Sequence, residues 1–168
     1  MFDKKAISEN FEYVDGVLYK NNKECNLVSK SKNKKYIKVW FDGKLHYAHR
    51  IIFFMHHGYV PKYIDHADNN SLNNKIENLR CATQSDNMGN SIKKRTNTSG
   101  YKGVCYDKSS GKWVAQITKN YVHKNLGRFS TPEEAFDAYQ VAAKENFGSF
   151  ANVDTNQYNT RAELKAFN

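Results

Sequence analysis

The chain has 168 residues, of which 39% are hydrophobic and 14% aromatic. That is enough apolar material for one domain or two small ones, and it excludes wholesale disorder. Lys and Arg total 26 against 17 Asp and Glu, a net charge of +9, which points to a polyanionic partner. No stretch approaches the roughly 18 to 20 apolar residues of a membrane span, and the opening MFDKKAISENFEYV has no apolar signal segment, so no membrane partner is expected and a cytoplasmic location is.

The first section runs to about Pro61. Asp15-Gly16 predicts a tight hairpin between Tyr13 and Tyr19. Lys30 to Lys35 reads as a basic loop. Tyr36 to Trp40 alternates around Ile37 and Val39, Asp42-Gly43 marks a second turn, and Leu45 to Tyr47 is the return strand. Ala48 to His57 has the pattern of a mostly buried helix that Gly58 stops.

The second section predicts a short strand at Tyr63 to His66, an Asn-rich loop over Ala67 to Lys75, and a return strand at Asn78 to Arg80. A helix carrying Asn87 follows, capped by Thr83 or Ser85. Residues 91–100 are polar and basic and read as a linker. Lys93, Lys94 and Arg95 in it can follow a phosphate backbone.

The last section changes grammar. Strand signals at Gly103 to Tyr106, Trp113 to Thr118 and Lys124 to Phe129 precede a helix that Thr131 caps and Pro132 opens. Alanines at helical spacing let that helix lie close to a sheet, and Gly148 ends it. Trp113, Ala115 and Ile117 share one strand face, Val114, Gln116 and Thr118 the other. The three cysteines, Cys25, Cys81 and Cys105, include no CxxC pair and read as reduced thiols.

Chemistry concentrates in Asp65-His66, then eleven residues, Asn78, then eight, Asn87. An imidazole is partly neutral at cellular pH, so His66 is a candidate base for activating water. Asp65 and Asn87 offer hard oxygens of the kind Mg²⁺ takes alongside water and phosphate. Asn78 can accept the other imidazole N–H and fix the tautomer. Neighbours on a straight strand face opposite ways, so a common centre for Asp65 and His66 requires a bend or a position at the strand end. Taken alone, an Asp-His pair and an Asn-rich loop are also common structural features.

The stretch from His49-Arg50 to Asn90, through HR, VP, IDHADNN, NN, IENLR and DN, resembles the HNH endonucleases of phages and mobile introns, in a His-Asn-Asn variant. The resemblance implies a ββα-metal core at about 60–91 within a nuclease domain 1–91, with His66 as general base and Asn78 orienting it. It implies a divalent metal on Asp65 and Asn87, Mg²⁺ first and Mn²⁺ next, with Asn90 an alternative ligand. Arg50 and Arg80 are expected to touch DNA. His49 is either packed structurally or in contact with phosphate, and His56 and His57 are expected to be structural.

The run NTSGYKGVCYDKSSGKWVAQI with LGRFSTPEEAFDAYQVAAKENFG resembles the AP2 DNA-binding domain, a three-stranded antiparallel sheet backed by one helix. On that resemblance the domain spans 101–153, with a tail at 154–168. Lys102, Gln116, Thr118, His123, Asn125 and Arg128 would face DNA, where Lys and Arg suit guanine or phosphate and Gln and Asn suit adenine. Cys105 and Asp107 stand where plant members carry arginines.

The expectation is therefore an α+β chain: β-hairpins and a helix, then the ββα-metal module, a linker at 92–100, and the AP2-like sheet and helix. It is expected to be a metal-dependent endonuclease of double-stranded DNA, site-specific and of the homing type. No small-molecule cofactor is expected, and either a monomer or a homodimer fits. A phage-encoded enzyme of this kind would work in the host cytoplasm. The alternative is a non-catalytic, sequence-specific DNA-binding regulator with a degenerate nuclease module. RNA binding ranks behind both, because Tyr101, Trp113 and Phe129 are expected to face the core.

Overall fold

The computed structural model describes residues 2–31, 34–94 and 96–154. It divides into two compact units, Met1–Thr83 and Gln84–Asn168. Among the described residues there are four small sheets, all paired antiparallel. No described helix is long and apolar enough to cross a membrane.

The first unit opens with α1 (Lys4–Asn10), which the sequence reading did not anticipate. Asp3 caps it by accepting from the Lys5 and Ala6 amides. β1 (Phe11–Val14), β2 (Val17–Lys20) and β3 (Lys23–Glu24) form a meander around the expected Asp15-Gly16 turn. β4 (Leu27–Ser31), β5 (Lys34–Phe41) and β6 (Lys44–Tyr47) form a second. The segment read as a basic loop is mostly strand: Ser31 pairs Lys34 and Lys30 pairs Lys35 across the two arms of a hairpin.

α2 (Ala48–His57) fills its expected bounds. Gly58 ends it at φ +75°, and its amide donates to the Phe54 carbonyl at 2.8 Å. Ile51 and Ile52 are fully buried, and Ile7, Phe11, Leu18, Val39 and Leu79 close the core around them. β7 (Tyr63–His66) and β8 (Leu79–Ala82) pair in register, Asp65 opposite Arg80 and His66 opposite Leu79. Between them the loop ends in a short 3₁₀ turn, Ile76–Asn78. Cys25 is buried, whereas Cys81 and Cys105 are exposed; all are free thiols.

The second unit begins with α3 (Gln84–Asn90). The unit boundary thus falls before the segment read as a linker. The reason is local: Gly89 lies against the Phe147 ring, and the Asn152 amide groups donate to the Gly89 and Asn90 carbonyls. β9 (Val104–Asp107), β10 (Lys112–Lys119) and β11 (Val122–Phe129) form an antiparallel sheet with β10 central. α4 (Pro132–Phe147) begins in a complete capping box: Thr131 accepts from the Glu134 amide and Glu134 reaches back to the Thr131 amide. Val104, Ala115 and Ile117 pack against Ala135, Phe136, Tyr139, Ala142 and Ala143. Trp113 joins that core as its alternation with Val114 requires.

Sheet and helix approach closely at Gly103. Its φ is +75°, and a Cβ there would sit 2.1 Å from Tyr139 Cδ2 and 2.9 Å from the Gln116 carbonyl oxygen. Gly103→Ala therefore adds overpacking to left-handed strain, each about 1–3 kcal/mol. Gly100 has φ +83° with nothing near it, so Gly100→Ala pays the strain alone. In urea titrations the Gly103 variant should lose about 1–3 kcal/mol more than the Gly100 variant; equal losses would refute this account of the contact.

Candidate active site

β7 carries the acidic and imidazole groups on consecutive residues, at its last two positions. Both are buried. Their partners differ, as strand alternation demands. Asp65 Oδ2 accepts from Arg80 Nε at 2.9 Å and pairs with Nη2 at 2.8 Å. His66 instead meets His49 edge-on at 5.1 Å between ring centroids and Tyr36 at 6.4 Å. The strand stops at His66 and the chain turns, with Asn69 in the left-handed region at φ +62° and its amide donating to the His66 carbonyl at 2.9 Å.

His66 Nε2 lies 3.1 Å from Asn74 Oδ1. An amide oxygen only accepts, so Nε2 carries the proton, and the lone pair of the neutral ring falls on Nδ1. Burial holds the His66 pKa below the ordinary imidazole value, against the opposing Asn74 hydrogen bond and Asp68 charge; the Lys34 charge helps to lower it. The ring is neutral at physiological pH, the state a base needs.

The sequence reading gave the imidazole to Asn78, and the structure puts Asn74 there. Asn74 is 2% exposed, and a buried amide in an Asn-rich loop carries no distinguishing local signal. Asn78 holds the loop closed: its Oδ1 accepts from the Asp68 amide, and its Nδ2 donates to Asp68 Oδ1 and the Asn73 carbonyl. Its own carbonyl accepts from the Ala67 amide. Asp68, also missed from sequence, is the hub. Burial alone would raise its pKa, but hydrogen bonds from Asn73, the Asn70 amide and Asn78 outweigh that and hold it below the usual carboxylate value. Two distant anchors fix the loop: Ser71 Oγ donates to the Lys35 carbonyl and the Ile76 amide donates to Tyr13 Oη.

The metal ligands expected from sequence can be tested by chemistry. Among the described residues no group of three His, Cys, Asp or Glu gathers as a metal cage. A set made of one carboxylate and one amide oxygen would not form such a cage. Asn87, on α3 in the second unit, has its Oδ1 buried with no hydrogen-bond partner among the described residues. An orphaned hard oxygen is costly unless a cation or water satisfies it. On Asp65, the Arg80 fork uses Oδ2, and a carboxylate has acceptor capacity on both oxygens. The residue types fit a divalent cation. Asn90 differs: it is 4% exposed, and its backbone carbonyl accepts from Asn152.

Of the other histidines, His49 is buried, whereas His56 and His57 are exposed. His49 is 8% exposed, stacked on Tyr47 at 5.4 Å and beside Tyr36. Burial first, then the neighbouring His66 and Arg50 charges, push its pKa down to about 3. His56 Nδ1 pairs with the Ile52 carbonyl, and His57 lies on the Phe53 ring.

The residues expected to touch DNA fall into three groups. Arg50 donates to the Pro61 and Lys62 carbonyls, and Arg80 is held by Asp65. Both therefore brace the chain around β7. Lys102 turns inward and donates to the Met88 and Gly89 carbonyls at the end of α3; burial lowers its pKa to about 8. It adds to the donors that Ser91 and Asn152 already supply to those carbonyls, whereas the resemblance placed it on the outer face. Lys93 Nζ donates to the Gly100 carbonyl and Lys94 is exposed. Arg95 lies outside the described residues.

Gln116, Thr118, His123, Asn125 and Arg128 share the sheet face away from α4, aligned by the pairs Gln116–Asn125, Thr118–His123 and Val114–Arg128. His123, Asn125 and Arg128 are exposed. Thr118 Oγ1 lies 3.1 Å from His123 Nδ1, and Arg128 Nε is 3.6 Å from Asp107 Oδ2. Asp107 accepts from Ser109 and Ser110, which holds it well below the usual carboxylate range. Arg128 therefore faces a permanent anion.

A family profile described as HNH endonuclease matches residues 46–89, and one described as AP2 domain matches 99–149. The chain is 36% identical over 125 residues to an uncharacterised HNH endonuclease of Acanthamoeba polyphaga mimivirus, covering 67% of this chain and 64% of that protein. It is 41% identical over 96 residues to Protein 3.8 of Escherichia phage T7, covering 56% of this chain and 78% of that protein. It is 37% identical over 70 residues to the AP2-like ethylene-responsive transcription factor PLT2 of Arabidopsis thaliana, covering 39% of this chain and 12% of that protein. No solved structure matches.

Proposed function

We propose that this chain, which belongs to the HNH endonuclease family and carries an AP2 domain behind that module, is a metal-dependent endonuclease of double-stranded DNA. The observation that supports it most is His66, a buried imidazole whose Nε2 is engaged by an amide oxygen and whose pKa burial lowers. A ring so held presents Nδ1 as a base. A water taken there loses its proton to Nδ1 and attacks phosphorus in line with the leaving oxygen. Asp65 and Asn87 are the residues that would hold Mg²⁺ or Mn²⁺. When bound, the cation would stabilise the charge on phosphate and leaving oxygen. Arg80 holds the Asp65 carboxylate in place through Nε and Nη2.

The AP2 sheet would keep the substrate on the protein, and site-specific cutting of the homing type is the form of activity we favour. Gln116, Thr118, His123 and Asn125 support that reading, since their side-chain types suit base edges and they share one face. The test is supercoiled plasmid incubated with Mg²⁺, with Mn²⁺ and with EDTA. Relaxed or linear product with either metal and none with EDTA is expected. Product in EDTA would overturn the metal dependence, and none with any metal while DNA still binds would favour the non-catalytic regulator.

A further inference from the structure

The sheet β4–β6 buries one face, through Ile37, Val39 and Phe41, in the first unit's core. The opposite face is built from register partners: Trp40 opposite Leu45, and Lys38 opposite both Leu27 and Tyr47. Trp40 is 59% exposed, Leu27 54% and Leu45 47%, an unusual grouping for a solvated sheet. Lys38 Nζ lies over the Tyr47 ring at 4.9 Å. Tyr47 meets Tyr36 at 5.3 Å, and Tyr36 reaches His66 at 6.4 Å. The face is therefore continuous, from exposed tryptophan through a lysine to the candidate base. By register Lys34 and Lys38 share this face with Tyr36 and Trp40, and none of the described strand positions on it is a carboxylate, so a second copy of the same face would be repelled and a polyanion attracted.

We propose that this face is a DNA-docking surface distinct from the AP2 sheet, which holds the strand on one side of the scissile phosphate. Lys38 takes a backbone phosphate, and the Trp40 ring, flanked by Leu27 and Leu45, packs against a sugar or an unstacked base. From Tyr36 to Trp40 along one strand is about 13 Å, or roughly four nucleotide steps at about 3.4 Å each. The contact thus falls about four nucleotides beyond Tyr36, which itself stands 6.4 Å from the His66 ring. The choice of DNA as occupant rests on the endonuclease reading, and the experiment separates the two.

Acrylamide quenching is measured on the full chain and on Trp40→Phe, which leaves Trp113 as reporter, in EDTA with sheared duplex DNA. The difference between the two isolates Trp40. DNA should remove most of the Trp40 quenching, and Trp40→Ala should weaken DNA binding roughly 5- to 150-fold, the range of one ring–base stack. With Mg²⁺, Trp40→Ala should raise KM and leave kcat in place, because the ring does not touch His66. DNA that binds without shielding Trp40 overturns the proposal and leaves the endonuclease reading standing. Shielding with no cleavage in any metal does the reverse. Shielding that grows with protein concentration in the absence of DNA identifies a second copy as occupant and also overturns it.

Discussion

Replacing His66 with alanine is expected to slow plasmid cleavage by a factor of roughly 10² to 10⁴, the contribution of a positioned base. DNA binding in EDTA should stay within a factor of about three, because binding rests on charge and on surfaces that His66 does not form. The substitution removes a buried ring beside His49 and Tyr36, so folding must be checked by amide NMR of Val39 and Ile51. Asn74→Ala should fall between the variant and the native protein, losing roughly 10- to 100-fold in kcat with little change in KM. It removes the oxygen that places the proton on Nε2, so the neutral ring can adopt the wrong tautomer. The ¹⁵N shifts of His66 should then show a mixed tautomer, which a purely structural defect would not produce. Full activity in His66→Ala would end the general-base assignment. Unchanged kcat in Asn74→Ala would end the positioning one.

The local chemistry of caps and turns was readable directly. Gly58 stops α2, and Thr131 with Pro132 opens α4, because a left-handed glycine and an N-cap hydroxyl act within one turn of chain. The strand-end position inferred for Asp65 and His66 follows from alternation, and β7 does end at His66. The misplacements share a cause. Which of Asn73, Asn74 and Asn78 meets the imidazole depends on how the loop is pinned, and its pins come from Lys35 and Tyr13, at sequence separations of 36 and 63. No local pattern encodes that. Lys102 looked like an outward cation in a basic run. The Met88 and Gly89 carbonyls in the last turn of α3 drew it in. α1 was hidden by its thin apolar signal: Ile7 is its buried residue.

The paired histidines make the first unit sensitive to acid, and the sign follows from burial. His49 in the folded protein has its pKa lowered to about 3, and that of His66 is lowered as well, while an unfolded imidazole titrates near about 6.5. Between those values the unfolded chain binds more protons, so stability falls as pH drops below about 6.5. Each such group contributes a slope of about 1.4 kcal/mol per pH unit. The informative window is pH 6.5 to about 4.5, at whose lower end unfolded carboxylates begin to titrate, a contribution that comparison with a His49 variant cancels. Across it His49 alone should remove about 2–3 kcal/mol, and His66 adds in the same direction, a large share of the roughly 5–15 kcal/mol typical of a domain. Urea unfolding at pH 6.5, 5.5 and 4.5, followed by the Val39 and Ile51 amides, measures it. His49→Phe keeps the ring contacts with Tyr36 and Tyr47 and removes the titrating nitrogen, so its curve should be flatter by one proton's slope. Equal slopes in the native protein and the variant would show that His49 is charged when folded. In that case the low dielectric invoked to keep His66 neutral would not hold either, and the acid limb of the cleavage profile would rise to the ordinary imidazole value instead of lying below it.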